Sequence, residues 1–475
     1  MEGLTLGEIA YITGGKILQG REDLPVEGIS TDSRTVQPGE LFWVLTGERF
    51  DGHHFIHEAL EKGAAGVILS RPEDFPAGPE NGPPSRAAGA LPACLWVPDT
   101  LKALQELAHA YRKRFDIPVV AITGSNGKTT TKELTASVLA QHFKVWKTQG
   151  NFNNLIGLPL TLLGLSAHHQ ALVVEMGMSR PGEIARLCQI AAPTLGVLTN
   201  IGTAHLEFLG SVEAIQRAKG ELVQALQADH LLVINADDLR VVELGQGFAG
   251  RTLSFGIHTR ADLQAREVQE LGLAGTRFRL RIGEEEVPIH LPLVGLHNVY
   301  NALAAAAVGH GLSVGLSEIR EALEGFSGIK MRMQPHRLWN EVILINDCYN
   351  ANPNSMKAAI RTLARLDPPG GRSFLVMGDM LELGPRGEAL HREIGRFVVE
   401  QKIDILITVG ERARLAAEEA MGLGMNGDRV QICSSHEEGA RALLARLKEG
   451  DRVLVKGSRG LAMERLIHQV LGHQG

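Results

Sequence analysis

The stretch Val119–Leu134, VVAITGSNGKTTTKEL, restricts the fold more than any other part of the chain. An apolar run ends at Thr123, a turn carrying Gly124 and Gly127 follows, and a helix-compatible run begins near Lys128. A buried strand that enters a helix through a glycine turn presents backbone N–H groups and a positive helix end to an anion. Lys128 can then reach the phosphates and Thr129 can hold Mg²⁺. The spacing is G-x-x-G-K-T; the longer common form would need a glycine at Ile122. The plain alternative is a fortuitous Gly-Lys-Thr at a strand–helix turn. The flanking strand and helix and the run Thr129-Thr130-Thr131 weigh against it. ATP is therefore the expected ligand, cradled by Gly124, Ser125, Asn126, Gly127, Lys128, Thr129 and Thr130.

A phosphate loop of this kind sits at the edge of a largely parallel sheet, and the rest of the chain supplies the strands. At 475 residues the length suits about three domains. Boundaries are expected at residues 1–98, 99–329 and 330–475. In the first, Thr5-Leu6-Gly7-Glu8 reads as a capping box opening a short helix that stops at Gly14-Gly15. Strands are expected at Leu41–Leu45 and Val67–Leu69, with a helix near His53–Glu61 between them. The Pro-, Gly- and Ala-rich segment Arg71–Cys94 reads as a surface loop. Asp99 or Thr100 caps an amphipathic helix with Leu101, Leu104, Leu107, Ala108 and Tyr111 on one face. In the second region Val119–Thr123, Leu172–Glu175, Leu195–Thr199 and Leu231–Ile234 are continuous apolar runs, as in a sheet buried on both faces. The third region repeats the alternation with Val342–Asn346, Phe374–Met377, Ile405–Val409 and Arg452–Val455, which reads as a second α/β sheet.

Charge and apolar content narrow the function classes. A formal charge of −6 provides no bulk basic field, so a nucleic acid partner is not expected. No apolar run reaches the length of a membrane span, and the opening MEGLTLGEIA lacks a basic segment followed by a hydrophobic core. A cytoplasmic location is expected. Cys94, Cys188, Cys348 and Cys433 form no C-x-x-C pair and read as buried free thiols.

Two further features bear on ligands. Gly245–Gly250, GQGFAG, matches the dinucleotide fingerprint, but a helical segment precedes it and a strand-like run follows, the reverse of what that fold needs. It reads as a loop. Glu175 closes the run ALVVE and His205 follows the next strand, so both belong at the carboxyl edge of the sheet, where open α/β sheets bind ligands. Glu175 with Thr129 makes an oxygen pair suited to Mg²⁺. Taken alone, His205 is more commonly a packed loop histidine.

The segments TGSNGKTT, EMG, TNIGTAHLEFLGS with the following AKGE, and GLHNVYNALAAAA occur in this order. Together they resemble the Mur ligase family of ATP-dependent amide-forming enzymes, which includes the folylpolyglutamate synthases and uses the short form of the loop. The resemblance spans essentially the whole chain. GISTDSRTVQPGELFWVLTGERFDGHHFIHEA is similar to the UDP-sugar-binding domain of the third and fourth amino-acid-adding ligases, a domain the folylpolyglutamate synthases lack. INDCYNANPNSMKAAI and VMGDMLELGPRGEALH resemble the fourth, dipeptide-adding branch, and the D-N-P-R motif of the diaminopimelate-adding branch is absent.

The resemblance implies three α/β domains: a small UDP-sugar-binding domain, a central P-loop-type ATPase domain with a mainly parallel sheet, and a Rossmann-like C-terminal domain. It implies a cytoplasmic, monomeric ligase that joins D-alanyl-D-alanine to UDP-N-acetylmuramoyl-tripeptide. Lys128 would hold the phosphates, Thr129 and Glu175 one Mg²⁺, and His205 with a carbamylated Lys219 a second. Asn298 and Asn301 would line the nucleotide pocket, and Arg332 and Asp347 would reach ATP from the third domain. Asp32, Ser33 and Arg34 would meet the UDP-sugar. Asn350, Lys456, Ser458 and Arg459 would receive the dipeptide or the growing peptide. Each has a plain alternative: a polar turn for Asp32–Arg34, packing for Asn301, a solvated linker charge for Arg332 and a solvated helix lysine for Lys219. By its loop alone the chain could also be a nucleotide-dependent switch protein, and the diamino-acid-adding ligases are the nearer enzymatic rival.

Overall fold

The computed structural model describes residues 1–47, 50–76, 91–203, 206–366 and 371–473. The chain divides into two compact units. The first comprises Met1–Ala121, Phe143–Gly177 and Glu183–Thr194; the second comprises Ile122–His142, Met178–Gly182 and Leu195–Gly475.

In the first unit the strands β1 (Lys16–Gln19), β2 (Gly28–Ser30), β3 (Glu40–Trp43), β4 (Thr46–Gly47), β5 (Phe50–Asp51), β6 (Gly66–Leu69) and β7 (Ala93–Trp96) appear in chain order. Five form a sheet in the order β1-β7-β6-β3-β2, while β4 and β5 pair by themselves. Within the five-stranded sheet only β1 is antiparallel to its neighbour, and β4 and β5 are antiparallel to each other. The opening helix Leu6–Thr13 carries the expected capping box between Thr5 and Glu8 and ends at Gly14. Asp99 caps the helix Thr100–Arg112, whose buried face includes Ala103, Leu104, Leu107, Ala108 and Tyr111. Leu101 is only half-buried, since Ala103 takes the inward position. Of the expected Arg71–Cys94 loop, residues 77–90 lie outside the described residues. This unit also holds the start of β8 (Val119–Thr123) and the parallel pair β9 (Val145–Lys147) and β10 (Ala171–Glu175).

In the second unit β11 (Leu195–Leu198), β12 (Leu231–Asn235), β13 (Arg251–Gly256) and β14 (Leu263–Glu270) run parallel. Two strands absent from the expected pattern, β15 (Thr276–Ile282) and β16 (Glu285–Leu291), extend β14 as an antiparallel meander. Their polar, alternating sequences suit a sheet with one solvated face. The GQGFAG segment is partly helical: Gly245 and Gln246 close the helix Leu239–Gln246, and only the residues beyond form the connection to β13. The Ala-rich helix Leu296–Gly311 packs closely on Lys128–Leu139, where Val138 lies against Gly309.

The remaining strands, β17 (Gln334–Arg337), β18 (Ile343–Asn346), β19 (Ser373–Gly378), β20 (Ile405–Val409), β21 (Val430–Cys433) and β22 (Arg452–Lys456), form a sheet in the order β17-β18-β22-β19-β20-β21. Only β17 is antiparallel. Alternate residues feed two cores. Ile343, Ile345, Leu375, Met377 and Leu454 belong to one, while Leu344, Phe374, Val376, Val453 and Val455 belong to the other. That is why these strands read as unbroken apolar runs. Placing β22 between β18 and β19 brings the loops after β18 and β22 together at the carboxyl edge. All four cysteines are buried, free thiols. Among the described residues no helix is long and apolar enough to cross a membrane.

Candidate active site

The phosphate loop follows β8 and opens the helix Lys128–Leu139. Gly127 occupies the N-cap at φ 83° and makes no side-chain cap, which leaves the first-turn amides for an anion. A Cβ at Gly127 would overlap Asn301 Oδ1, and one at Gly124 would overlap Thr199 Oγ1. Ser125 and Asn126 shape the loop. Ser125 N donates to Asn200 O at 2.9 Å and its hydroxyl accepts from Gly202 N at 2.8 Å. Asn126 N donates to Asn200 Oδ1 at 2.9 Å, and its carbonyl accepts from Thr199 Oγ1 at 2.7 Å. The Lys128 ammonium curls over the loop and donates to Gly124 O at 2.8 Å.

Beside the loop lies a cavity of about 340 Å³. It is walled by Asn126, Gly127 and Thr130, the segment Thr199–Gly202, the start of the Leu296 helix, the hinge at Arg332 and the loop after β18. Asn298 Nδ2 donates to Val294 O at 2.9 Å, and Asn301 Nδ2 donates to Asn298 Oδ1 at 3.0 Å. Thr131 Oγ1 donates to Asn301 Oδ1 at 3.2 Å, so Asn301 ties the loop's helix to the cavity wall. His297, which sequence reasoning passed over in GLHNVYN, also lines the cavity. Burial holds its imidazole below the usual range; Asp347 opposes this, and Lys456 and Arg332 reinforce it.

The third region contributes Arg332. Its guanidinium donates to Thr129 Oγ1 at 2.9 Å and stacks 4.2 Å from the Tyr349 ring centroid. Asp347 Oδ1 accepts from Met333 N at 3.1 Å, and Oδ2 pairs with Lys456 Nζ at 2.6 Å. Lys456 is therefore a buried partner of Asp347 and part of the cavity wall. Ser458 is buried too; its hydroxyl donates to Ala351 O at 3.1 Å and accepts from Leu381 N at 2.9 Å. Arg459 pairs with Glu464 at 2.8 Å, and the Asn350 side chain accepts from Ala351 N at 2.9 Å. The four residues expected to receive the peptide thus all have partners within the protein, and Lys456 also donates to Asn350 O at 2.9 Å. Asn352, also unforeseen, donates to Asn126 Oδ1 at 2.8 Å.

Lys219 lies in the helix Val212–Ala225, capped by Ser211, and is 1 % exposed. Burial first, and the charge of Lys128 second, hold its amine well below the usual lysine range. His205 lies outside the described residues.

In the first unit Glu175 closes β10. Its Oε1 accepts from Asn153 Nδ2 at 2.8 Å, whereas Oε2 is buried with no hydrogen-bond partner among the described residues. Asn153 stands in the run NFNN, whose spacing does not point to Glu175. Asp32 makes a two-point contact with Arg34, which holds its carboxyl down at about 2. Ser33 donates to Glu58 Oε2 at 2.8 Å.

Three Mur ligase domain models match the chain in succession. The Mur ligase family catalytic domain matches residues 25–112, the Mur ligase middle domain 122–309, and the Mur ligase glutamate ligase domain 331–459. The UDP-N-acetylmuramoyl-tripeptide–D-alanyl-D-alanine ligase of Bacillus subtilis is 37% identical over 468 residues, covering 98% of each chain. The enzyme of that name from Escherichia coli is 36% identical, again with 98% of each chain covered. Among solved structures, MurF from Acinetobacter baumannii superposes with a TM-score of 0.87 at 31% identity over 99% of both chains. MurF ligase from Thermotoga maritima in complex with ADP gives 0.79 at 29% identity, covering 96% of this chain and 100% of that one. The chain belongs to the Mur ligase family.

Proposed function

We propose that the chain is an ATP-dependent amide ligase that joins D-alanyl-D-alanine to UDP-N-acetylmuramoyl-tripeptide in cytoplasmic peptidoglycan precursor synthesis, acting as a monomer. The observation that carries this is full-length identity of 37% to a ligase of that name. A phosphate loop opening on a cavity walled from two regions supports it. Residues 1–98 would bind the UDP-sugar through Asp32, Ser33 and Arg34. Residues 99–329 would bind ATP, and residues 330–475 would supply Arg332, Asp347 and the peptide-binding groups.

A carboxylate resists attack by an amine, so its oxygen must first take the γ-phosphoryl group of ATP, with ADP leaving. Lys128 and the loop amides offset the negative charge that gathers in this step. Arg332 adds a second cation. The neutral amine of the dipeptide then adds to the acyl carbon, and the tetrahedral intermediate expels phosphate. Residues fit for Mg²⁺ are present: a threonine hydroxyl at Thr129 and a buried, half-satisfied carboxylate at Glu175 are the oxygen donors this ion prefers. Bound Mg²⁺ would supply the remaining positive charge. Burial holds the Lys219 amine well below the usual lysine range, and in its neutral form the amine would add to CO₂ with loss of one proton. The carbamate oxygens so formed, with the imidazole of His205, would serve a second Mg²⁺.

The test is phosphate release by purified protein given ATP, the UDP-tripeptide and a panel of amines. Release is expected with D-alanyl-D-alanine and not with free lysine or diaminopimelate. No dipeptide-dependent release would end this reading.

A further inference from the structure

We infer that Lys456 is a positioning residue for the nucleotide step, which sets Arg332 over the phosphate loop by way of Asp347. The inference rests on the ATP-binding part of the reading above. The hinge Met331–Met333 carries unusual backbone, with φ of 61° at Met331 and 47° at Met333. Neither residue is glycine, so this conformation persists only where neighbours impose it. The imposing contacts come from the loop after β18. Tyr349 N donates to Met331 O at 3.2 Å, Asp347 Oδ1 accepts from Met333 N at 3.1 Å, and the Tyr349 ring lies under the Arg332 guanidinium.

That loop is in turn closed by one side chain. Lys456 Nζ, from the end of β22, donates to Asp347 Oδ2 at 2.6 Å and to Asn350 O at 2.9 Å, bracketing the loop from both ends. The ammonium is buried, and its two contacts are directed at the loop. Arg332 at the far end of the chain of contacts reaches Thr129 Oγ1. Lys456 therefore acts on the phosphate loop through Asp347, the hinge backbone and Arg332. The sequence expectation that it meets the dipeptide or the growing peptide assigns its charge to a different partner.

The experiment is a cycle of wild type, Lys456→Met, Asp347→Asn and the double variant, with Lys456→Arg as the conservative change. Nucleotide affinity is read with Mg·ATP by calorimetry, and KM for D-alanyl-D-alanine by phosphate release. Residues that act as a unit give non-additive losses. Lys456→Met should weaken Mg·ATP binding by about tenfold or more, while adding it to Asp347→Asn should cost less than about threefold. Lys456→Arg should recover most of the loss, and KM for the dipeptide should stay within about twofold. Should Lys456→Met not fold, the comparison of Asp347→Asn with the double variant, which leaves no unpaired buried charge, decides alone. Losses that multiply, or a KM increase confined to the dipeptide, would overturn the inference. Wild-type protein that binds ATP but forms no amide would count against the ligase reading and leave this test intact.

Discussion

Replacing Gly127 with alanine should disable the phosphate loop while sparing most of the fold. The residue sits at φ 83°, and its missing Cβ makes room for Asn301 Oδ1. Left-handed backbone costs a non-glycine residue about 1–2 kcal/mol. The new methyl must also displace Asn301, whose side chain accepts from Thr131 at 3.2 Å and donates to Asn298 at 3.0 Å. Each such bond contributes about 1 kcal/mol net. The loop conformation therefore loses about 3 kcal/mol in all, which lowers the ratio of formed to unformed loop by roughly a hundredfold. Apparent ATP affinity should fall by up to that factor, because only the formed loop binds. Calorimetric titration with Mg·ATP measures this, and a far-ultraviolet thermal melt verifies the fold. An alanine variant with wild-type ATP affinity would refute the reasoning, since the loop would then not need the space Gly127 leaves.

Three other outcomes are expected. Lys128→Ala should cut turnover by about a thousandfold or more, since it removes a charge aimed at the transferring phosphoryl group; single-turnover phosphate release measures it. Lys219→Ala should lose most activity at an unchanged melting temperature, and short carboxylic acids should restore part of it; a ¹³CO₂ label on wild-type Lys219, seen by NMR, checks the carbamate without relying on turnover. Asp237 is pushed up by burial but held at about 2 by the amides of His258, Ile257 and Thr259. A depressed carboxylate stabilises the fold above its unfolded pKa near 4, and that contribution fades as pH falls towards 2. The stability gap between wild type and Asp237→Asn, about 1 kcal/mol after solvent screening, should narrow over that range in urea melts.

Much of this architecture is legible in the sequence because buried parallel strands leave little freedom. Ile343–Ile345 and Phe374–Met377 must satisfy two cores at once, so they appear as apolar runs. The meander β14–β16 escaped because its strands are half-solvated and polar, and Gln334–Arg337 escaped for the same reason. The phosphate loop could be read locally, since its function needs contiguous residues. Long-range pairings could not. Lys456 with Asp347 spans 109 positions and Arg332 with Thr129 spans 203, and no local pattern encodes either. Lys456 follows the expected strand Arg452–Val455 and is expected to meet the dipeptide or the growing peptide; its burial against a carboxylate is a property of strand order, which places β22 beside β18.

The central claim is that ATP activates a peptide carboxylate and does not merely drive a conformational change. Labelling the terminal carboxylate of UDP-N-acetylmuramoyl-tripeptide with ¹⁸O and recovering the phosphate after reaction with D-alanyl-D-alanine tests it most directly. An acyl phosphate that collapses under attack by the amine passes one carboxylate oxygen to phosphate, so one ¹⁸O per phosphate released is predicted. Phosphate whose new oxygen comes from water would contradict the account, because it would make the chain an ATPase with no acyl transfer.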